Sequence, residues 1–184
     1  MSNFAFLQKE WFSICDSATK AEGYLNTDTR AACWYARMTL EQIVDWLYRY
    51  DPNYKSYEPS LGARVHDPCF RANAGENIFT KATVIMSIGN RAAHGKAAKQ
   101  AEAYTAIQEL FHIAYWLAGT YGDKSRPDPS LQFDEKLIPA AKKQDAISAE
   151  QLRSVEDKLR QEQTEKDALK QELEALRVEF AKAK

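Results

Sequence analysis

Apolar side chains recur at three- and four-residue steps in four separate stretches, and no stretch alternates apolar with polar residues. That period is the helical repeat, and each stripe must find another to cover it. The first stretch runs from about Asn3 to Glu22, with Phe4, Leu7, Trp11, Ile14, Cys15 and Ala18 on one face and Gly23 expected to end it. The second, about Asp28 to Tyr50, turns Ala32, Ala36, Leu40, Ile43 and Leu47 inward. Trp34, Tyr35, Met38, Trp46 and Tyr50 widen that face, so this helix should touch neighbours on more than one side. Asn26 to Thr29 offers capping side chains before it, and Asp51-Pro52 stops it. The third spans roughly Glu76 to Asn90 and the fourth roughly Ala98 to Tyr121. The pattern predicts an all-α fold, a helical bundle of about four main helices over residues 1–122.

Between the third and fourth stripes lies Ile85-Met86-Ser87-Ile88-Gly89-Asn90-Arg91-Ala92-Ala93-His94-Gly95-Lys96. Gly89 removes a side chain where another backbone could approach, and Gly95 supplies a helix stop. Asn90 and His94 are four apart and share a helical face. Polar groups set among apolar helices need partners, since each one buried unsatisfied costs about 1–3 kcal/mol. The plainer reading is a clasp of Gly89, Asn90, His94 and Gly95 that fastens neighbouring helices. The sharper one is a site that binds or cuts nucleic acid.

The connection from Asp51 to about Gly75 loses periodicity and is punctuated by Pro52, Pro59, Gly62, Pro68 and Gly75, with room for short helical turns. His66 and Cys69 in it have no second pair of metal-type ligands nearby, so no metal site is expected. Arg64, Arg71, Lys81, Arg91, Lys96 and Lys99 are candidate phosphate contacts around this loop and the junction. Each neutralised phosphate would steepen the salt dependence of binding by roughly 0.9 in log slope. An ordinary solvated face is the competing expectation.

A polar connector, 123–144, follows Gly122, and Leu131, Phe133, Leu137 and Ile138 could strap it back onto the bundle. From Asp145 to Lys184 the chain becomes rich in Glu, Lys, Gln, Leu and Ala. Leu152, Leu159, Lys166, Leu173 and Phe180 recur every seven residues, with Val155, Glu162, Leu169 and Leu176 in the second seam. Residues 145–184 are therefore expected to form a long coiled-coil-like helix that self-associates or leads to further domains. The pattern stops without a cap, as in a fragment of a longer protein.

Composition narrows the function classes. A net charge of −1 over 184 residues gives no global basic signal, so nucleic-acid binding would need a local patch. Cys15, Cys33 and Cys69 are widely spaced and odd in number, which fits free thiols in a reducing cytoplasm. No signal-like start and no long apolar run points to a membrane, so a cytoplasmic chain is expected. A phosphate-binding Gly-x4-Gly-Lys-Ser/Thr loop is absent, as is an Asp with a Glu-x-Lys cluster for a nuclease metal. No catalytic residue is assigned.

Ile88 to Gly95, followed by Ala106-Ile-Gln-Glu-Leu-Phe-His-Ile-Ala-Tyr-Trp-Leu117, resembles the N-terminal helical domain of the restriction (R) subunit of type I restriction–modification enzymes. Trp34-Tyr35-Ala36-Arg37-Met38-Thr39-Leu40-Glu41 is similar to that domain's second helix, and the Glu/Lys/Gln-rich tail to the helix leading into its nuclease and motor domains. The resemblance implies a non-catalytic interaction domain. Its partners would be the modification and specificity subunits, the remaining R-subunit domains, and DNA as a further contact. ATP and Mg would serve the parent enzyme, with no cofactor in this segment.

Related domains are grouped with the HEPN superfamily, which gives the alternative of a HEPN-type ribonuclease or toxin-like defence domain. Catalytic members place an Arg four to six residues before a His, pairing a phosphate-steadying cation with a proton-handling imidazole. Here Ser87 precedes the Ile-Gly-Asn, and Arg91 lies three residues before His94. The spacing departs from that motif, although a helix could still bring both side chains to one face.

Overall fold

The computed structural model describes residues 2–94 and 97–140, all in the first of two compact units, Met1–Lys142 and Lys143–Lys184. The heptad-patterned segment and its self-association lie outside the described residues, as do Gly95 and Lys96. Among the described residues the fold is all-α: α1 (Phe12–Tyr24), α2 (Thr29–Tyr50), α3 (Leu61–His66), α4 (Pro68–Ala74), α5 (Glu76–Ala93) and α6 (Gln100–Tyr121). Short 3-10 turns at Ala5–Lys9 and Glu135–Leu137 flank them.

Helix α2 is the axis of the bundle and packs against α1, α5 and α6. Its inner face, Ala32, Ala36, Leu40, Ile43 and Leu47, is fully buried, as the stripe predicts. Asp28 caps its start by accepting from the Ala31 amide at 2.9 Å. From α6, Ile107, Leu110, Ile113 and Leu117 complete the core, and each such side chain contributes about 1.5–3 kcal/mol on leaving water.

The first stretch differs from expectation. Its stripe is buried from Phe4 to Ala18, but it is divided between the Ala5–Lys9 turn and α1, with the break at Glu10-Trp11. The break lets Phe4 reach Phe111 on α6 while Ile14 and Ala18 follow α1. Helix α1 also runs through Gly23, beside which there is open space. In the 51–75 connection α3 and α4 are short, capped by Ser60 and Asp67. Gly75, at φ +86°, makes the turn from α4 into α5, a backbone conformation that glycine adopts at least cost.

The segment after α6 belongs to the bundle unit and folds back over it. Asn3 is buried and joins three chain regions. Its amide N–H and Nδ2 donate to Glu22 Oε1, Nδ2 also donates to the Asp134 carbonyl, and Oδ1 accepts from the Asp134 amide at 2.8 Å. Phe133 packs 5.6 Å from Phe111, ring centre to ring centre. Among the described residues no helix is long and apolar enough to cross a membrane.

Candidate functional site

The junction motif meets α2, and the contact is built on a missing side chain. A Cβ at Gly89 would lie 2.4 Å from Arg37 Cβ, so only glycine lets the Arg37 stem cross α5 at this height. Having crossed, Arg37 donates from Nε to Asn90 Oδ1 at 2.7 Å and pairs through Nη1 with Glu41 Oε2 at 3.2 Å. Two turns towards the start of α2, Arg30 Nε donates to the Ala92 carbonyl at 2.9 Å. A cation is favoured there, at the negative end of the α5 dipole. Thr29 Oγ1 reaches over to the Ala98 carbonyl at 2.8 Å, tying the chain beyond the junction to the same helix.

These contacts revise the clasp. Gly89 is buried, as close packing requires, but Asn90 and His94 are exposed. The expected pair of buried polar groups is replaced by one glycine and a surface arginine–asparagine bond. His94 forms the C-cap of α5, its amide donating to the Asn90 carbonyl at 3.1 Å. Arg91 Nη2 is held by Glu102 Oε1 at 2.7 Å, and Glu102 Oε2 accepts from the Lys99 amide at 3.1 Å. The Lys99 amide and then the Arg91 guanidinium hold the Glu102 carboxyl below its ordinary value.

Four of the candidate phosphate contacts are engaged by carboxylates. Arg64 pairs with Asp45 and lies 5.2 Å from the centre of the Tyr48 ring. Arg71 pairs with Glu76 and lies 5.0 Å from that of Phe79. Lys81 faces α6, where it pairs with Glu109 and meets His112 Nδ1 at 3.3 Å. Burial would raise the Glu109 carboxyl, but the bonds from Lys81 and His112 outweigh it and hold the group below its ordinary value. With Arg91 bonded to Glu102, four of the six expected cations sit beside a carboxylate. Lys99 is exposed at the start of α6.

His66 and Cys69 are turned to different neighbours, which accounts for their lack of convergence. His66 packs edge-on to Phe79 at 5.7 Å, whereas Cys69 Sγ meets Tyr48 Oη at 3.4 Å and donates to the Lys55 carbonyl at 3.3 Å. Among the described residues no group of three or more His, Cys, Asp or Glu side chains could hold a metal ion.

What sequence reasoning missed is the face that the motif organises. Arg30, Trp34, Arg37 and Glu41 follow one another at four-, three- and four-residue steps along α2. Trp34 is 42% exposed, resting edge-on against Tyr35, which stacks on Tyr24. The expectation that Trp34 and Tyr50 widen the inner face of α2 is corrected here, since both are exposed; the spacing rule that groups the apolar stripes also groups this surface row. A half-exposed tryptophan between two arginines has the composition of a protein-contact centre.

The site thus belongs to an α-helical domain whose junction motif packs α5 on α2 and holds Arg37 at the surface. Residues 19–126 match the family described as a domain of unknown function, DUF4145, and the chain belongs to that family. No curated protein matches the chain, and no solved structure does.

Proposed function

We propose that this chain is a non-catalytic docking domain of the kind found at the N-terminus of type I restriction R subunits. In this reading it works in the cytoplasm and holds the modification and specificity subunits, or other R-subunit domains, through the Arg30–Trp34–Arg37 face. ATP-driven translocation and Mg-dependent DNA cleavage belong to other parts of the parent enzyme. The observation that carries the reading is the seating of Arg37 over Gly89 and onto Asn90. Two residues of the motif are thereby engaged in presenting α2. Arg91, three residues before His94, is engaged by Glu102, which weighs against a phosphate-steadying role.

The test is retention of a modification–specificity complex on immobilised full-length chain. Wild type should retain it, and Trp34→Ala should weaken retention at least tenfold, the scale of a buried aromatic anchor. No retention by wild type, or equal retention by the variant, would refute docking through this face. RNA cleavage by wild type that disappears in His94→Ala would instead establish the HEPN-type ribonuclease.

A further inference from the structure

At the other end of α2, away from the junction, Gln42, Asp45, Trp46, Arg49 and Tyr50 face the start of α1 across an open cleft of about 520 Å³. Phe12 and Tyr50, both lining it, are 68% and 61% exposed, unusual for such rings in a folded bundle. Trp46 lies between them and the core, 5.5 Å from Trp11 in edge-to-face contact and 5.3 Å from Tyr50. The cleft therefore offers aromatic surfaces that no residue of the bundle covers.

Its polar lining is dominated by acceptors. Gln42 lines it as well, with its Oε1 turned out of solvent. Glu10 and Asp45 supply two carboxylates against the single guanidinium of Arg49. Glu10 is fixed in place by the Ser125 amide at 2.6 Å and the Asp123 amide at 3.2 Å. Asp45 pairs through Oδ1 with Arg64 and remains half-exposed. Ring faces and carboxylates both favour positive charge and N–H donors.

We propose that this cleft receives a cationic side chain, an ammonium or guanidinium on an aliphatic stem, presented by a partner polypeptide. The stem would cover Phe12 and Tyr50 while the cation meets the carboxylates. A nucleic acid is disfavoured because the lining carboxylates outnumber the guanidinium. The site is separate from the Trp34 face and does not depend on its assignment.

The experiment is a titration of full-length, isotope-labelled chain followed by the indole N–H resonances, assigned with single Trp→Phe variants. The probes are three blocked tripeptides, Gly-Arg-Gly, Gly-Leu-Gly and Gly-Glu-Gly, each to about 10 mM, a range suited to millimolar affinity. Saturable shifts of Trp46 and Trp11 with the arginine peptide alone are expected. Tyr50→Ala and Phe12→Ala should each weaken binding about two- to fivefold, as loss of one ring's apolar contact with the stem predicts. Trp34→Ala should leave it unchanged. Equal response to the leucine peptide would reduce the cleft to a plain apolar groove and overturn the proposal. Preference for the glutamate peptide, or no shift with any peptide, would overturn it as well. Both exposed rings are surface positions, and an unchanged spectrum elsewhere would verify folding of the variants.

Discussion

Arg37 and Gly89 occupy one another's space: the arginine's Cβ stands where a side chain at 89 would begin, 2.4 Å from an ideal Cβ. The clash involves the root of the arginine rather than its flexible end, so relief requires α2 and α5 to separate. Gly89→Ala should therefore destabilise the bundle by about 1–3 kcal/mol through overpacking, less the roughly 1 kcal/mol that alanine gains over glycine within a helix. Urea denaturation of the two proteins checks the sign. An alanine variant more stable than wild type would contradict the close approach of Arg37 to position 89.

The arginine's far end should matter less. Arg37 Nε to Asn90 Oδ1 is a surface bond, and Arg37 also meets Glu41. A double-mutant cycle with Arg37→Ala and Asn90→Ala should give a coupling of about 0.5–1.5 kcal/mol. Zero coupling would leave the Arg37–Asn90 bond without an energetic role at this seam.

The stripes on α2 and α6 were legible because burial enforces a period on the sequence, and Leu40, Ile43, Leu110 and Leu117 obey it. The break at Glu10-Trp11 was not legible, because the stripe stays in phase across it. The exposure of Asn90 and His94 was hidden for a different reason. Periodicity near a helix end does not say where the covering helix stops, and α2 begins opposite this point, with Arg30 at the Ala92 carbonyl. Charge pairing was equally hidden: Lys81 and Glu109 are 28 positions apart and meet only because α5 packs on α6.

That pair makes acid sensitivity predictable. The Glu109 carboxyl is held below its ordinary value of 4.5, Lys81 and His112 overcoming the opposing effect of burial. The folded value lies below the unfolded one, so the carboxylate's stabilisation is complete above about 4.5 and is lost as pH falls through the lower folded value. Glu109→Gln should flatten the stability profile in that acid window and lower stability at neutral pH. Lys81→Met should cost about 1–2 kcal/mol at pH 7, between an exposed and a fully buried pair. A profile of Glu109→Gln parallel to wild type from pH 5 down to 3 would remove the assignment.

The three thiols should separate by reactivity. Cys33 is fully buried, and burial foremost pushes its thiol up to about 11. At pH 8 roughly one Cys33 in a thousand would then be thiolate, before access is considered. Cys69 is partly exposed beside the Lys55 backbone. Alkylation of native protein, read by peptide mass spectrometry, should modify Cys69 first and Cys33 only at the rate of unfolding. Equal labelling of the two in native buffer would contradict the packing of α2.

The chain after α6 should count as part of the fold. Phe133 covers Phe111 and Tyr104, and Tyr104 donates to Glu135, whose carboxylate pushes the phenol up to about 12. Asn3, Glu22 and Asp134 share buried bonds, and Asn26 Nδ2 donates to the Pro139 carbonyl at 2.8 Å. Ending the chain at Gly122 would uncover Phe111 and leave Asn3 with only part of its hydrogen bonding. A protein of residues 1–122 should therefore unfold at lower urea concentration than one of 1–142, by about 2–5 kcal/mol. Phe133→Ala in the longer protein should reproduce a substantial share of that loss, because the ring packs on both Phe111 and Tyr104. Matching midpoints for 1–122 and 1–142 would show that the strap rests on the bundle without stabilising it.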